Sequence, residues 1–254
     1  MNELALMTTE EATAAIAAAR LALLPVGSCE QHGPHLSLDT DAAIAEAIAR
    51  RLAVELGDEA VLCPTVGYGL SEHHLAFGGT LTLRPATYLA LMDDILESLA
   101  HHGLRRVLVV NGHGGNIDAL RLVARIARRD RGMLVAPFMW ATIAADVAGD
   151  TADSPAYGHA CEVETSVAMA VIRDRVHPDQ IGSPAARHSI DPLTDPPRAT
   201  IDEPVWLHEW SDDGALGDPR LGNEEAGQKL IDKVVERALG FARRLADRPL
   251  PQQP

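Results

Sequence analysis

The stretch RVLVVNGHGGNIDALRLVARIARRDRGMLVAPF, residues 106–138, decides how this chain folds. Val107 to Val110 form an unbroken apolar run of the kind that fills a parallel strand buried on both faces. The run leads directly into a glycine-rich turn, Asn111 to Asn116. Ile117, Leu120, Ala124 and Ala127 then recur at helical spacing, so an amphipathic helix follows the turn. Met133 to Phe138 reads as the next strand. Strand, helix and strand in that order make a crossover unit, which demands a parallel sheet.

The same alternation extends in both directions. Upstream, Thr8-Thr9-Glu10-Glu11 opens an alanine-rich helix, and Leu21 to Val26 reads as a buried strand ending at Gly27. A polar loop, SCEQHGPHLSLDTD (28–41), precedes a helix over 41–56 with Ile44, Ile48 and Leu52 on one stripe. The run 60–66 is interrupted by Pro64, so it is a strand that stops there or one at a sheet edge. Pro85 starts a helix that reaches about His102; further helices are expected over 162–173 and 223–245. The expected class is α/β with a mostly parallel central sheet covered on both faces. Residues 183–222 carry prolines at 184, 192, 196, 197, 204 and 219 and two of the three tryptophans; an ordered excursion over a site or subunit contact is expected there.

Composition narrows the functional class. The 254 residues suit one domain over 1–254. A net charge of -14 repels phosphate backbones and argues against nucleic acid as a partner, and bound cations would offset part of it. Cys29, Cys63 and Cys161 are odd in number and form no CxxC pair, which points to a reducing compartment. The acidic N-terminus does not resemble a secretory signal, and no apolar run approaches the ~20 residues of a membrane span. The expected location is cytoplasmic, with no membrane partner.

Polar clusters sit where strands have just ended: Glu30-Gln31-His32 with Asp41, Asn111-Gly112-His113, and His159 to Glu162. In open parallel sheets ligands lie beyond the carboxyl ends of the strands. Glu30 and His32, two apart in extended backbone, point the same way. Asp41 opens a helix whose free N–H groups would hold its carboxylate. His159 and Glu162, three apart, would share a helical face. Mixed imidazole and carboxylate sites suit zinc or manganese, and this many ligands suit two ions better than one. Other readings stand beside this one. NGHGGN is also a candidate phosphate cradle, although Ile117 stands where a GxGxxG motif needs glycine. Cys29 and Cys161 each precede a proposed ligand, so a cysteine-dependent hydrolase is a second reading. A non-catalytic metal-binding assembly module is a third.

The motifs PVGSCEQHGPHLSLDTD (25–41), SEHHLAFGGTLTL (71–83), NGHGGN (111–116), HACEVETS (159–166) and GALGDP (214–219) occur in the order found in the creatininase (creatinine amidohydrolase) family, which the chain resembles along nearly its whole length. The resemblance implies a three-layer α/β/α sandwich, two divalent metal ions per chain (Zn or Mn, with Fe as a further candidate) and a homohexamer. It implies Glu30, His32, Asp41 and His113 as metal ligands, with Asp41 bridging. In creatininase proper the last ligand is a glutamate where this chain has Gly115, and the resemblance puts Glu162 in its place. His159 matches the catalytic histidine; Ser71, Glu72 and Trp140 match substrate-binding positions. The implied activity is hydrolysis of a C–N amide (cyclic amide, formamide or peptide), with water activated between two metals and His159 relaying a proton to the leaving nitrogen. The substrate is a small molecule or short peptide. Gly114 replaces an aromatic residue of creatininase proper, SPAYGHA lacks its tryptophan and aspartate, and Ser37 and Gly78 stand where relatives have proline. Creatinine itself is therefore disfavoured. The family is also similar to formylamino-pyrimidine deformylases, to a cyclic-ketone hydrolase of inositol breakdown and to the mycofactocin precursor peptidase; the last is the alternative that an alanine- and arginine-rich composition favours.

Overall fold

The computed structural model describes residues 1–152, 158–182 and 204–251. Among them, the strands are β1 (Asn2–Glu3), β2 (Leu21–Val26), β3 (Ala60–Leu62), β4 (Arg106–Asn111) and β5 (Leu134–Met139). They form one parallel sheet in the order β1-β3-β2-β4-β5. The helices are α1 (Thr9–Ala18), α2 (Thr40–Leu56), α3 (Pro85–His101), α4 (Ile117–Arg131), α5 (Trp140–Ile143), α6 (Ala145–Thr151), α7 (Glu162–Val171), α8 (Leu207–Trp210) and α9 (Glu224–Asp247).

Side chains alternate along the central strands and thereby build two cores. Leu21, Leu23, Leu108 and Val110 face α2, α7 and α9. Ala22, Leu24, Val26, Val107 and Val109 face α1, α3 and α4. The result is a three-layer α/β/α sandwich with strands apolar on both faces. Ile44, Ile48 and Leu52 of α2 are completely buried, each worth roughly 1.5–3 kcal/mol of transfer free energy. Local signals set the helix ends. Thr8 and Glu11 form a reciprocal capping box on α1, and Gly132 closes α4 in the left-handed conformation at φ 60°. Gly227 lets α9 lie directly on α7, because a Cβ there would collide with the Ser166 carbonyl.

The sequence leaves the place of the 60–66 run open, and the structure decides it: the strand stops before Pro64. β3 is not an edge strand; it lies between β1 and β2, and Pro64 falls just past its end, where no ladder N–H is needed. β1, only two residues long, takes the edge instead. Of the proline-rich excursion, 183–203 lie outside the described residues, while 204–222 are described and return to the sheet's carboxyl end. His101 and His102 are exposed at the end of α3.

The strand order also locates a crevice. From β2 the chain moves to β3 on one side, then to β4 on the other. The gap between β2 and β4 is thus the switch point of the sheet, and Val26 and Asn111 pair at its rim.

Candidate metal centre

Two glycines bring the first turn of α2 across that rim. A Cβ at Gly27 would collide with the Ala42 backbone, and one at Gly112 with the Asp41 carbonyl. Asp41 is therefore delivered directly over the ends of β2 and β4. Asn116, completely buried, ties in a third segment: its Nδ2 donates to Gly27 O (3.0 Å) and its Oδ1 accepts from Leu70 N (3.0 Å). That bond anchors the loop carrying Ser71, His73 and His74.

The side chains converge into three overlapping groups with metal-ligand spacing: Glu30, His32 and His159; Glu30, Asp41 and His113; His32, Asp41 and Glu164. Asp41 Oδ1 lies 3.1 Å from His32 Nε2 and Asp41 Oδ2 lies 3.0 Å from His113 Nδ1. Ser28 Oγ donates to Asp41 Oδ2 at 2.8 Å. Glu30 Oε1 is 3.2 Å from His113 Nδ1, and Glu164 Oε1 is 3.9 Å from His32 Nε2. Within the three groups His159 is the most exposed, at 15% of its side chain, and the rest are buried.

Each of three imidazoles rests its outer nitrogen on a backbone carbonyl: His32 Nδ1 on Glu30 O (3.1 Å), His113 Nε2 on Leu70 O (2.9 Å) and His159 Nε2 on Gln31 O (2.7 Å). That nitrogen must carry a hydrogen, so the inner one is left for the cluster. Burial opposes charge on His32, yet Asp41 and Glu164 outweigh it and raise its pKa to about 10. His113 is likewise raised well above the usual value against its burial, by Glu30 and Asp41. Burial would raise the Glu30 carboxyl, but His113 outweighs it and holds that carboxyl well below the ordinary range. Burial, helped by His32, pushes His159 down to about 3. Protons on His32 and His113 thus occupy the positions a divalent cation would take. The residues fit such ions by a second observation. Both oxygens of Glu30 are buried without a hydrogen bond of good geometry, which is costly unless a cation satisfies them.

Residues 5–241 match the creatininase (creatinine amidohydrolase) family as a whole. The chain belongs to the creatininase family. It is 34% identical over 225 residues to the mycofactocin precursor peptide peptidase of Mycolicibacterium smegmatis, covering 85% of this chain and 81% of that one. Among solved structures, a creatinine amidohydrolase (creatininase) superposes with TM-score 0.80 at 24% identity, covering 97% of this chain and 98% of that one, which shows the fold. A Mn creatininase superposes with TM-score 0.78 at 26% identity over 95% and 97% of the two chains, and a Zn-Zn variant with TM-score 0.78 at 25% over the same shares. This creatininase-family chain is thus an amidohydrolase acting on C–N bonds, with residues grouped for metal binding.

Among the sequence-derived candidates, Glu30, His32, Asp41, His113 and His159 meet at one place. Glu162 does not join them; the structure puts Glu164 there instead. The reason is local. Residues 159–161 are not helical, Ala160 has φ 48°, and α7 begins only at Glu162. His159 and Glu162 therefore share no helical face. Glu164, two residues later, anchors Oε2 on the Ala160 N–H (2.7 Å) and turns Oε1 to His32. Asp41 also departs from expectation, since Ser28 and two histidines meet its carboxylate. Ser71 is buried with Oγ 3.3 Å from His113 Nε2, Glu72 is exposed, and Trp140 lies in the core against α9. Burial raises the thiols of Cys63 to about 12 and Cys161 to about 11 and also raises Cys29, which disfavours thiolate catalysis. Sequence reasoning missed His74, 2% exposed and 3.3 Å from Glu30 Oε1, and Gln31, which touches it; SEHHLAFGG was the available signal.

Proposed function

We propose that this chain is a two-metal amidohydrolase that hydrolyses a peptide-type C–N amide. The observation that carries the reading is the set of overlapping ligand groups that share Glu30, His32 and Asp41 at the sheet's switch point. Glu30, His32, Asp41, His113 and Glu164 would hold two divalent ions, Zn or Mn, with Asp41 shared between them. Bound there, such ions supply Lewis acidity toward a carbonyl and lower the pKa of water.

The protein's own groups do the rest. Buried walls exclude bulk water, which strengthens each charge interaction. His159, neutral and at the solvent-facing side, keeps Nε2–H on Gln31 O and so accepts a proton at Nδ1 and returns it to the leaving nitrogen. The peptide class is supported by the mycofactocin precursor peptide peptidases, which match 85% and 84% of this chain. The reading includes one catalytic domain in a cytoplasmic homohexamer, supported by the family resemblance and by three free cysteines.

The test is to incubate Zn- or Mn-loaded protein with mycofactocin precursor peptide and analyse the products by mass spectrometry. Two fragments whose masses sum to the peptide plus one water are expected, with none after chelation. Intact peptide with both metals overturns the substrate class. Cleavage that survives chelation overturns the metal role. Light scattering tests the hexamer, and cell fractionation the location.

A further inference from the structure

Gln31 lies between the two histidines that the metal-ligand set leaves over, His74 and His159. Its side chain is buried, and every polar atom of it is engaged. Oε1 accepts from Gly33 N at 2.9 Å, which identifies that end of the amide as the oxygen. The other end, Nε2, carries two hydrogens. It lies 2.8 Å from His74 Nδ1, 3.3 Å from Gly214 O and 3.1 Å from His159 Nε2.

Counting donors resolves these contacts. His159 Nε2 is 2.7 Å from the Gln31 main-chain carbonyl, so it bears a hydrogen and cannot accept one from the amide. The two amide hydrogens then go to Gly214 O and His74 Nδ1. His74 Nδ1 is therefore a lone pair, and the hydrogen of that neutral ring sits on Nε2, 3.3 Å from Glu30 Oε1. Both rings are the Nε2–H tautomer, yet they turn opposite atoms to the cluster. His159 turns its Nδ1 lone pair inward; His74 turns an N–H inward.

Resting on the metal-centre reading above, we infer that Gln31 is a positioning residue that makes His74 a fixed hydrogen-bond donor, and His159 a fixed acceptor, toward the cation pair. His74 is thereby excluded as another imidazole ligand despite its distance to Glu30. An N–H at that place faces Glu30 and offers a donor to an oxygen atom bound between the walls. The described part of the excursion completes the arrangement. Gly214 sits at φ 88°, and a Cβ there would collide with Gln31 Oε1, so the strap and the amide fit only as they are. Leu216 N donates to His159 O at 2.7 Å and fixes the same strap to the second ring.

The test is a long-range proton–nitrogen correlation spectrum of Zn-loaded protein labelled with 15N-histidine, with His74→Asn and His159→Asn used for assignment. Nε2–H with unprotonated Nδ1 is expected for His74. His159 is expected to keep Nε2–H. In Gln31→Glu, where a carboxylate replaces the donor, a hydrogen appears on His74 Nδ1 while His159 is unchanged. Nδ1–H at His74 in the unmodified protein overturns the inference, as does an unaltered His74 signal in folded Gln31→Glu. The unmodified protein decides His74 even when the variant fails to fold. A protein that takes up no Zn contradicts the metal reading, but its His74 signal still decides this one.

Discussion

Glu164→Gln and Glu162→Gln separate two carboxylates that stand only two residues apart on α7. Glu164 uses Oε2 to accept from Ala160 N, a bond that the carbonyl oxygen of glutamine retains, so the local fold is preserved. What is lost is one negative charge facing His32 at 3.9 Å and any cation beside it. At an effective dielectric constant of ~20 and a separation of ~4 Å, that charge is worth about 4 kcal/mol per unit of cation charge. Affinity for one of the two proposed Zn ions should fall by about a thousandfold or more. Glu162→Gln should leave affinity within about threefold, because its carboxylate belongs to none of the ligand groups. Competition against a fluorescent zinc chelator measures affinity, and elemental analysis after gel filtration counts the ions. Two ions retained by Glu164→Gln, or one lost by Glu162→Gln with unchanged circular dichroism, would refute the assignment.

Three further outcomes are expected. Gly112→Ala puts a methyl group into the Asp41 carbonyl and should cost about 1–3 kcal/mol or more, lowering Tm by at least ~2 °C and weakening Zn binding together; an unchanged Tm contradicts the close approach of α2 to β4. Tyr88 buries a hydroxyl without a partner, and burial pushes its pKa up, so Tyr88→Phe should raise stability by about 1 kcal/mol in denaturant titration; a loss would mean the hydroxyl is bonded. The pH dependence follows from His32, raised from its ordinary 6.5 to about 10 without metal. Its contribution is complete below 6.5 and is lost as pH rises through 10, so Tm of chelator-treated protein should fall across that window. Zn affinity should instead weaken as pH falls, because protons compete for the same nitrogens; a chelated protein whose Tm climbs toward pH 10 would contradict the sign.

The apolar run at Val107, the helical stripe after Ile117 and the capping residues Thr8 and Glu11 act within a few residues of themselves, so the sequence alone determined those elements. It also determined Glu30, His32, Asp41 and His113 as one group, because a parallel sheet delivers loops after strands to one edge. The tertiary structure decided what depends on distant partners. β3 became an inner strand through pairing on both sides. Glu164 displaced Glu162 because Ala160 turns the chain before α7 starts, a break that residue spacing does not encode. His74 joined the site only because Asn116 anchors its loop through Leu70, 46 residues away. Chemistry-bearing residue types are written locally, whereas the atom each one presents is set by contacts that only the folded chain brings together.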